Sequence, residues 1–171
     1  MAGRPIRAAI AAISVFSIVS CAENTADSPR GFKSQYTQAR TALEKGDYAR
    51  ANRVYLRLVE DAGPFETRVR LEHGHSELRA GAFDRASAIA GALAQSGTGD
   101  ARAAALAVRG TADHEMGLAL LRAGETAAAT ARLRAAQSAL DEVLAEHPEM
   151  DPLGALVGRQ ASIAARLKTL N

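Results

Sequence analysis

The most reactive side chain in this sequence is a lone thiol. Cys21 follows Ile18, Val19 and Ser20 and is the only cysteine, so no intramolecular disulfide can form. Other chemistry-bearing types are scattered. The four histidines are His73, His75, His114 and His147. His73 and His75 are two residues apart, about 200° on a helix, and cannot ligate one metal together. His114-Glu115 lacks the second histidine that a helical zinc motif places four residues on. Glu60-Asp61 and Asp141-Glu142 fall near predicted helix ends and read as solvated faces. No glycine loop suits a phosphate, and no motif surrounds a serine. These residues predict no enzyme, no cofactor and no metal.

The elements around Cys21 explain it better than catalysis does. Arg4 and Arg7 precede an apolar run from Ala8 to Val19. Twelve residues are too few for the ~20 that span a bilayer as a helix, but they suit the apolar region of a signal peptide. Ile18-Val19-Ser20-Cys21 then resembles a bacterial lipobox: aliphatic, aliphatic, small, cysteine. The resemblance covers residues 1–21. It implies a signal peptide over residues 1–20, lipidation of the Cys21 thiol, and cleavage just before it. Ala22 follows, with no aspartate there, which in enterobacterial sorting implies the inner leaflet of the outer membrane, facing the periplasm. Residues 21–31 form the lipidated cysteine and a polar, flexible tether. Its stretch from Ala22 to Pro29 reaches at most ~25 Å.

Removing the signal changes the charge balance. The whole chain has 21 basic and 19 acidic residues. Arg4 and Arg7 leave with the signal and no acid does, so the mature chain is neutral. A basic-protein reading with nucleic acid as partner loses its support. The length fits one domain. Abundant alanine, few aromatics and no Trp favour closely packed helices over sheets.

From Phe32 onward the pattern is helical, broken by three related turns. Leu43-Glu44-Lys45-Gly46, Leu78-Arg79-Ala80-Gly81 and Leu121-Arg122-Ala123-Gly124 each place leucine three residues before glycine. Seven before stand Ala39, Gly74 and Gly117, small enough for two helices to approach. Five after stands alanine each time: Ala51, Ala86 and Ala129. Nine after stand Tyr55, Ala90 and Leu133; twelve after, Leu58, Leu93 and Ala136. The glycine is expected at positive φ, where it ends the first helix.

These helix–turn–helix units resemble the tetratricopeptide repeat, a unit of about 34 residues. Gly46 to Gly81 is 35 residues, and the resemblance covers roughly residues 32–140. It implies an all-α, right-handed superhelical solenoid of about three hairpins. There are departures. Thr126 stands where Tyr48 and Phe83 plug the corner, and Pro64 closes its unit one place late. Gly81 to Gly124 is 43 residues, eight too many, or about two helical turns. Asp100 is the expected N-cap of a helix from Ala101 to Ala123, paired with an equally lengthened one from Ala127 to Glu146. Asp151-Pro152 is expected to open a capping helix from Leu153 to Leu170, with Leu153, Leu156, Val157, Ile163 and Leu167 as its apolar stripe.

In that family the first helix of each unit lines the concave face. The matching positions are Lys33, Tyr36, Arg40, Leu43 and Glu44, then Arg68, Leu71, His75, Leu78 and Arg79. Thr111, His114, Leu118, Leu121 and Arg122 complete them. They imply a cationic groove with apolar rungs, suited to a protein or peptide carrying carboxylates, without a small-molecule substrate. They do not match the Lys- and Asn-rich carboxylate clamp of chaperone-binding members. The expected function is a lipid-anchored periplasmic adaptor or scaffold in assembly of an envelope machine such as a pilus or secretion system. The alternative is a self-associating envelope lipoprotein that uses the long third hairpin as its interface.

Overall fold

The computed structural model describes residues 29–170. The expected signal peptide, Cys21 and the segment up to Ser28 lie outside the described residues. Seven α-helices follow one another: α1 (Pro29–Glu44), α2 (Tyr48–Glu60), α3 (Glu66–Arg79), α4 (Phe83–Ser96), α5 (Gly99–Arg122), α6 (Thr126–Glu146) and α7 (Ala155–Leu170). Short 3₁₀ turns at Gly63–Phe65 and Pro148–Met150 precede α3 and α7. Among the described residues there is no strand, and no helix is long and apolar enough to cross a membrane. The all-helical expectation holds. Helix α1 begins at Pro29, within the stretch expected to be tether.

The three glycine turns are built alike. Gly46, Gly81 and Gly124 have φ of 77°, 76° and 79°. Each glycine N–H donates to the leucine carbonyl three residues back: Leu43, Leu78 and Leu121, all at 3.1 Å. The next N–H reaches one residue further: Asp47 to Ala42 at 2.9 Å, Ala82 to Glu77 at 3.0 Å and Glu125 to Leu120 at 2.9 Å. This double closure satisfies carbonyls that a helix end leaves orphaned, and it needs a residue tolerant of positive φ. One geometry used three times makes three helix pairs: α1–α2, α3–α4 and α5–α6.

The repeated core positions are buried in all three pairs. Ala51, Ala86 and Ala129 are fully buried, as are Tyr55, Ala90 and Leu133. The small residues seven before each turn glycine do the work expected of them. A Cβ on Gly74 would sit 3.2 Å from Ile89, and one on Gly117 would sit 2.8 Å from Leu133. Gly110, two turns earlier, meets Leu140 in the same way, also at 2.8 Å. The lengthened third pair therefore repeats one contact along its axis. Helices α5 and α6 span 24 and 21 residues, against 14 each for α3 and α4.

Successive helices pack on one another along the whole row, and α3 also touches α5 while α5 touches α7. Three apolar clusters run along it. Ala39, Leu43, Val54, Tyr55, Leu58 and Val69 fill the first. Leu93, Leu106, Ala139 and Val143 belong to the second, and Leu133, Leu140, Ile163 and Leu167 to the third.

Two expected helix starts are corrected. Thr98, in extended conformation, is the N-cap of α5; Gly99 takes positive φ and Asp100 lies inside the first turn. There the helix dipole still favours its charge. The closing helix starts at Ala155, because Gly154 at φ 70° turns the chain first. Asp151 nevertheless caps it: its Oδ2 accepts from Leu156 N at 3.0 Å and Val157 N at 2.9 Å. These amide donors hold its carboxyl below the usual range. As a result Leu153 is 92% exposed and Val157 52%, and the buried stripe reduces to Ile163 and Leu167, with Leu156 partly buried beside them.

Candidate functional site

Helices α1, α3 and α5 present neighbouring faces around one carboxylate, Glu72. On one side Arg40 Nη1 donates to Glu72 Oε2 at 2.7 Å, and Tyr36 Oη donates to Oε1 at 3.2 Å. Arg40 is held further toward its charged form by that bond. An open cavity of about 370 Å³ lies beside them, lined by Arg40, Leu71, Glu72, His75, Ala104, Ala107, Val108 and Met150. A second opening of about 460 Å³ shares Leu71 and Glu72 and adds Pro64, Thr67, Arg68, Leu93 and Ala101. The two make a trough with an apolar floor from α5 and polar walls from α1 and α3. Desolvation lowers the pKa of His75, so the imidazole is neutral near pH 7.

Of the positions expected to line a groove, the trough brings together Tyr36, Arg40, Arg68, Leu71 and His75. The others lie elsewhere. Leu43 is buried between α1 and α2. Leu78 is half-buried; Arg79 lies over the Tyr48 ring at 5.9 Å, at the inter-pair corner. Lys33 and Arg122 are exposed and enter no salt bridge. His114 is buried beneath α7: Arg159 Nη1 lies 2.6 Å from its Nδ1 and 2.7 Å from Glu115 Oε1. Leu121 packs into the cluster formed with α6 and α7, and Leu118 is half-buried.

Three trough features were not legible from the turn alignment. Glu72 pairs with Arg40 across helices, a contact without a local sequence signal. Ala104, Ala107 and Val108 lie in the two added turns of α5, one and two turns before Thr111 on the same face. Carrying the stripe back along the lengthened helix would have found them. Met150 arrives from the 3₁₀ turn after α6 and packs against the second cluster with Ala107.

Outside the trough, polar groups join helices. Asp113, fully buried, accepts from Ser87 Oγ at 2.8 Å and Arg132 Nη1 at 3.1 Å, with Arg109 Nε at 3.5 Å. His73 Nε2 lies 3.3 Å from Glu77 Oε1, whose other oxygen accepts from Arg85 at 2.8 Å. His73 thus faces α4 while His75 faces the trough, the opposed directions expected of a spacing of two. Asp100, His147 and Glu149 are the one metal-like grouping among the described residues. Both carboxylates approach the same imidazole nitrogen, at 3.5 and 3.2 Å, and both acids are exposed. This arrangement is what a solvated helix junction produces.

The trough offers an apolar floor flanked by the exposed cation of Arg68 and the polar edge of Arg40–Glu72. Comparison of the chain with family models, with curated proteins and with solved structures finds no match.

Proposed function

We propose that the protein is a lipid-anchored periplasmic scaffold of the tetratricopeptide-repeat type that holds a protein or peptide segment in the trough. Its place is the inner leaflet of the outer membrane, through Cys21, in assembly of an envelope machine such as a pilus or secretion system. The observation that carries the binding role is the cavity between Arg40, Leu71, His75 and Val108. It lies where the first helices of successive pairs meet. Three identical turns and the buried alanines behind them support the repeat reading, and the contacts of α3 with α5 and of α5 with α7 support a solenoid. Arg68 favours a carboxylate on the ligand, and Leu71, Ala107 and Val108 favour an aliphatic side chain beside it.

Fluorescence anisotropy with extended peptides tests this directly. Peptides alternating acidic and aliphatic residues should bind, and their lysine-substituted counterparts should not. Val108→Arg should abolish the binding by filling the floor with a charge. Equal binding of acidic and basic peptides would sink the groove. The anchor is tested separately, by whether Cys21→Ser releases the protein from the membrane fraction.

A second reading, a self-associating structural lipoprotein, rests on the exposed Leu153 and Val157 beside the third pair. The α5–α6 face that buries Leu133 and Leu140 is already occupied by Ile163 and Leu167 of α7. Sedimentation equilibrium distinguishes it: a monomer at high concentration removes this reading.

A further inference from the structure

The first helix pair carries an uncompensated positive charge. Between Pro29 and Glu60, seven cations stand against Glu44, Asp47 and Glu60, whereas from Asp61 onward fourteen acids outnumber twelve cations. Ion pairing does not absorb the excess. Beyond the first pair, Arg70, Arg85, Arg102, Arg109, Arg132 and Arg159 all meet carboxylates. Within it Arg40 does so, but Lys45, Arg50, Arg53 and Arg57 enter no salt bridge among the described residues and all four are exposed.

These cations share a surface. Arg50, Arg53 and Arg57 follow one another at spacings of three and four on α2, away from buried Ala51, Val54 and Leu58. Next to them α1 turns Ser34, Thr37, Gln38 and Thr41 to solvent, and these residues with Ala42, Lys45, Asp47 and Arg50 line an open recess of about 370 Å³, where the one acid, Asp47, is engaged in capping α2 through Arg50 N. Among the described residues this is the open end of the helix row, since α1 packs against α2 and no described helix pair precedes it. The end of a solenoid must be polar to stay soluble. Hydroxyls and amides already meet that need; a cluster of unpaired cations exceeds it.

We propose that this end face docks on an anionic phospholipid surface. Arginine forks and hydroxyl donors match phosphodiester oxygens, and a row of lipid phosphates supplies the complementary charge. The face has no aromatic side chain on which a nucleobase could stack. The described chain begins here, with α1 at Pro29. The inference uses the proposed Cys21 anchor for orientation: the anchor would hold the body near the bilayer, and the basic patch would set which face meets the headgroups. Docking would turn the trough, on α3 and α5, away from the bilayer edge and toward partners.

Vesicle flotation of the full chain carrying Cys21→Ser tests this apart from the lipid. The parent should partition more strongly onto vesicles containing 30 mol% phosphatidylglycerol than onto pure phosphatidylcholine. That preference should weaken about thirty- to hundred-fold in the triple variant Arg50→Gln, Arg53→Gln, Arg57→Gln. Arg68→Gln, in the trough, together with Arg122→Gln, at the third turn, should leave the preference intact, so a failed trough and a failed docking face give different results. Circular dichroism melts unchanged in the triple variant establish that folding is preserved. The proposal is overturned if the triple variant keeps the phosphatidylglycerol preference, or if the parent has none. It is equally overturned if the triple variant loses affinity for a DNA duplex while its vesicle partition stays that of the parent.

Discussion

Single residues decide how closely the third helix pair packs. Gly110 and Gly117 each face a buried leucine, with a backbone carbonyl of α6 at 3.3–3.4 Å behind it. Leu133 and Leu140 are fully buried and have no room to retreat. Gly117→Ala should therefore destabilise by about 1–3 kcal/mol despite the better helix propensity of alanine. Gly158, on α7, is the counter-example: nothing lies within 4 Å of where its Cβ would be. Gly158→Ala should stabilise by up to about 1 kcal/mol. Urea unfolding of the two variants reads both signs, and a stabilised Gly117→Ala would contradict the close approach. Asp113 is a different case. Its carboxylate joins α4, α5 and α6 through Ser87, Arg109 and Arg132. Asp113→Ala should cost about 2 kcal/mol, since the buried Ser87 hydroxyl loses its partner while the half-exposed arginines return to water.

At the scale of elements, the turns and the closing helix behave differently. Gly81 needs positive φ, so Gly81→Ala strains the turn and should cost about 1–2 kcal/mol although no neighbour crowds it. Helix α7 depends on side chains instead. Ile163 and Leu167 bury its inner face, while Arg159 bridges to His114 and Glu115, and Gln160 donates to Asp141 at 2.6 Å. Burial, and then Arg159, lower the pKa of His114; burial lowers that of His73, where Glu77 opposes it. Both histidines therefore bind protons more weakly folded than unfolded. Their stabilising effect is complete above the ordinary histidine pKa of about 6.5 and is lost as pH falls below it. The urea midpoint should fall between pH 7.5 and 5, above the range where carboxylates such as Glu142 and Asp151 titrate. His114→Gln should flatten that dependence; an unchanged slope would show that His114 does not contribute.

For the whole molecule, the fold places two unlike surfaces on one row of helices. The trough lies between α1, α3 and α5, and the basic face lies on the outer side of α1 and α2. On the proposed readings, the basic face would meet a membrane and the trough a polypeptide. Salt should separate them experimentally. Vesicle partition through unpaired arginines should weaken steeply between 50 and 300 mM salt as screening shortens. Peptide binding in the trough, with its apolar floor, should change less; equal salt dependence in both assays would argue for one electrostatic site.

The turns were the most legible feature of the sequence because they are local. Positive φ selects glycine, and the double hydrogen-bond closure fixes a leucine carbonyl three residues back, so the chemistry is written within six residues. The buried alanines and small residues followed from the same alignment, as did the matched lengthening of α5 and α6. Legibility ended where contacts cross between helices distant in sequence. Nothing local marks Glu72 as the partner of Arg40, or Arg159 as the residue that removes His114 from an inner face. The N-cap of α5 and the first residue of α7 also escaped, because positive φ at Gly99 and Gly154 moved both helix starts, whereas Asp151 caps α7 as its sequence position implied. The sequence alone determined the helices, their pairing and the surplus of cations in the first pair, since periodicity, turn geometry and composition are local properties. Tertiary structure decided which of those cations are neutralised and which groove positions stay open, because both depend on what each neighbouring helix brings to the contact.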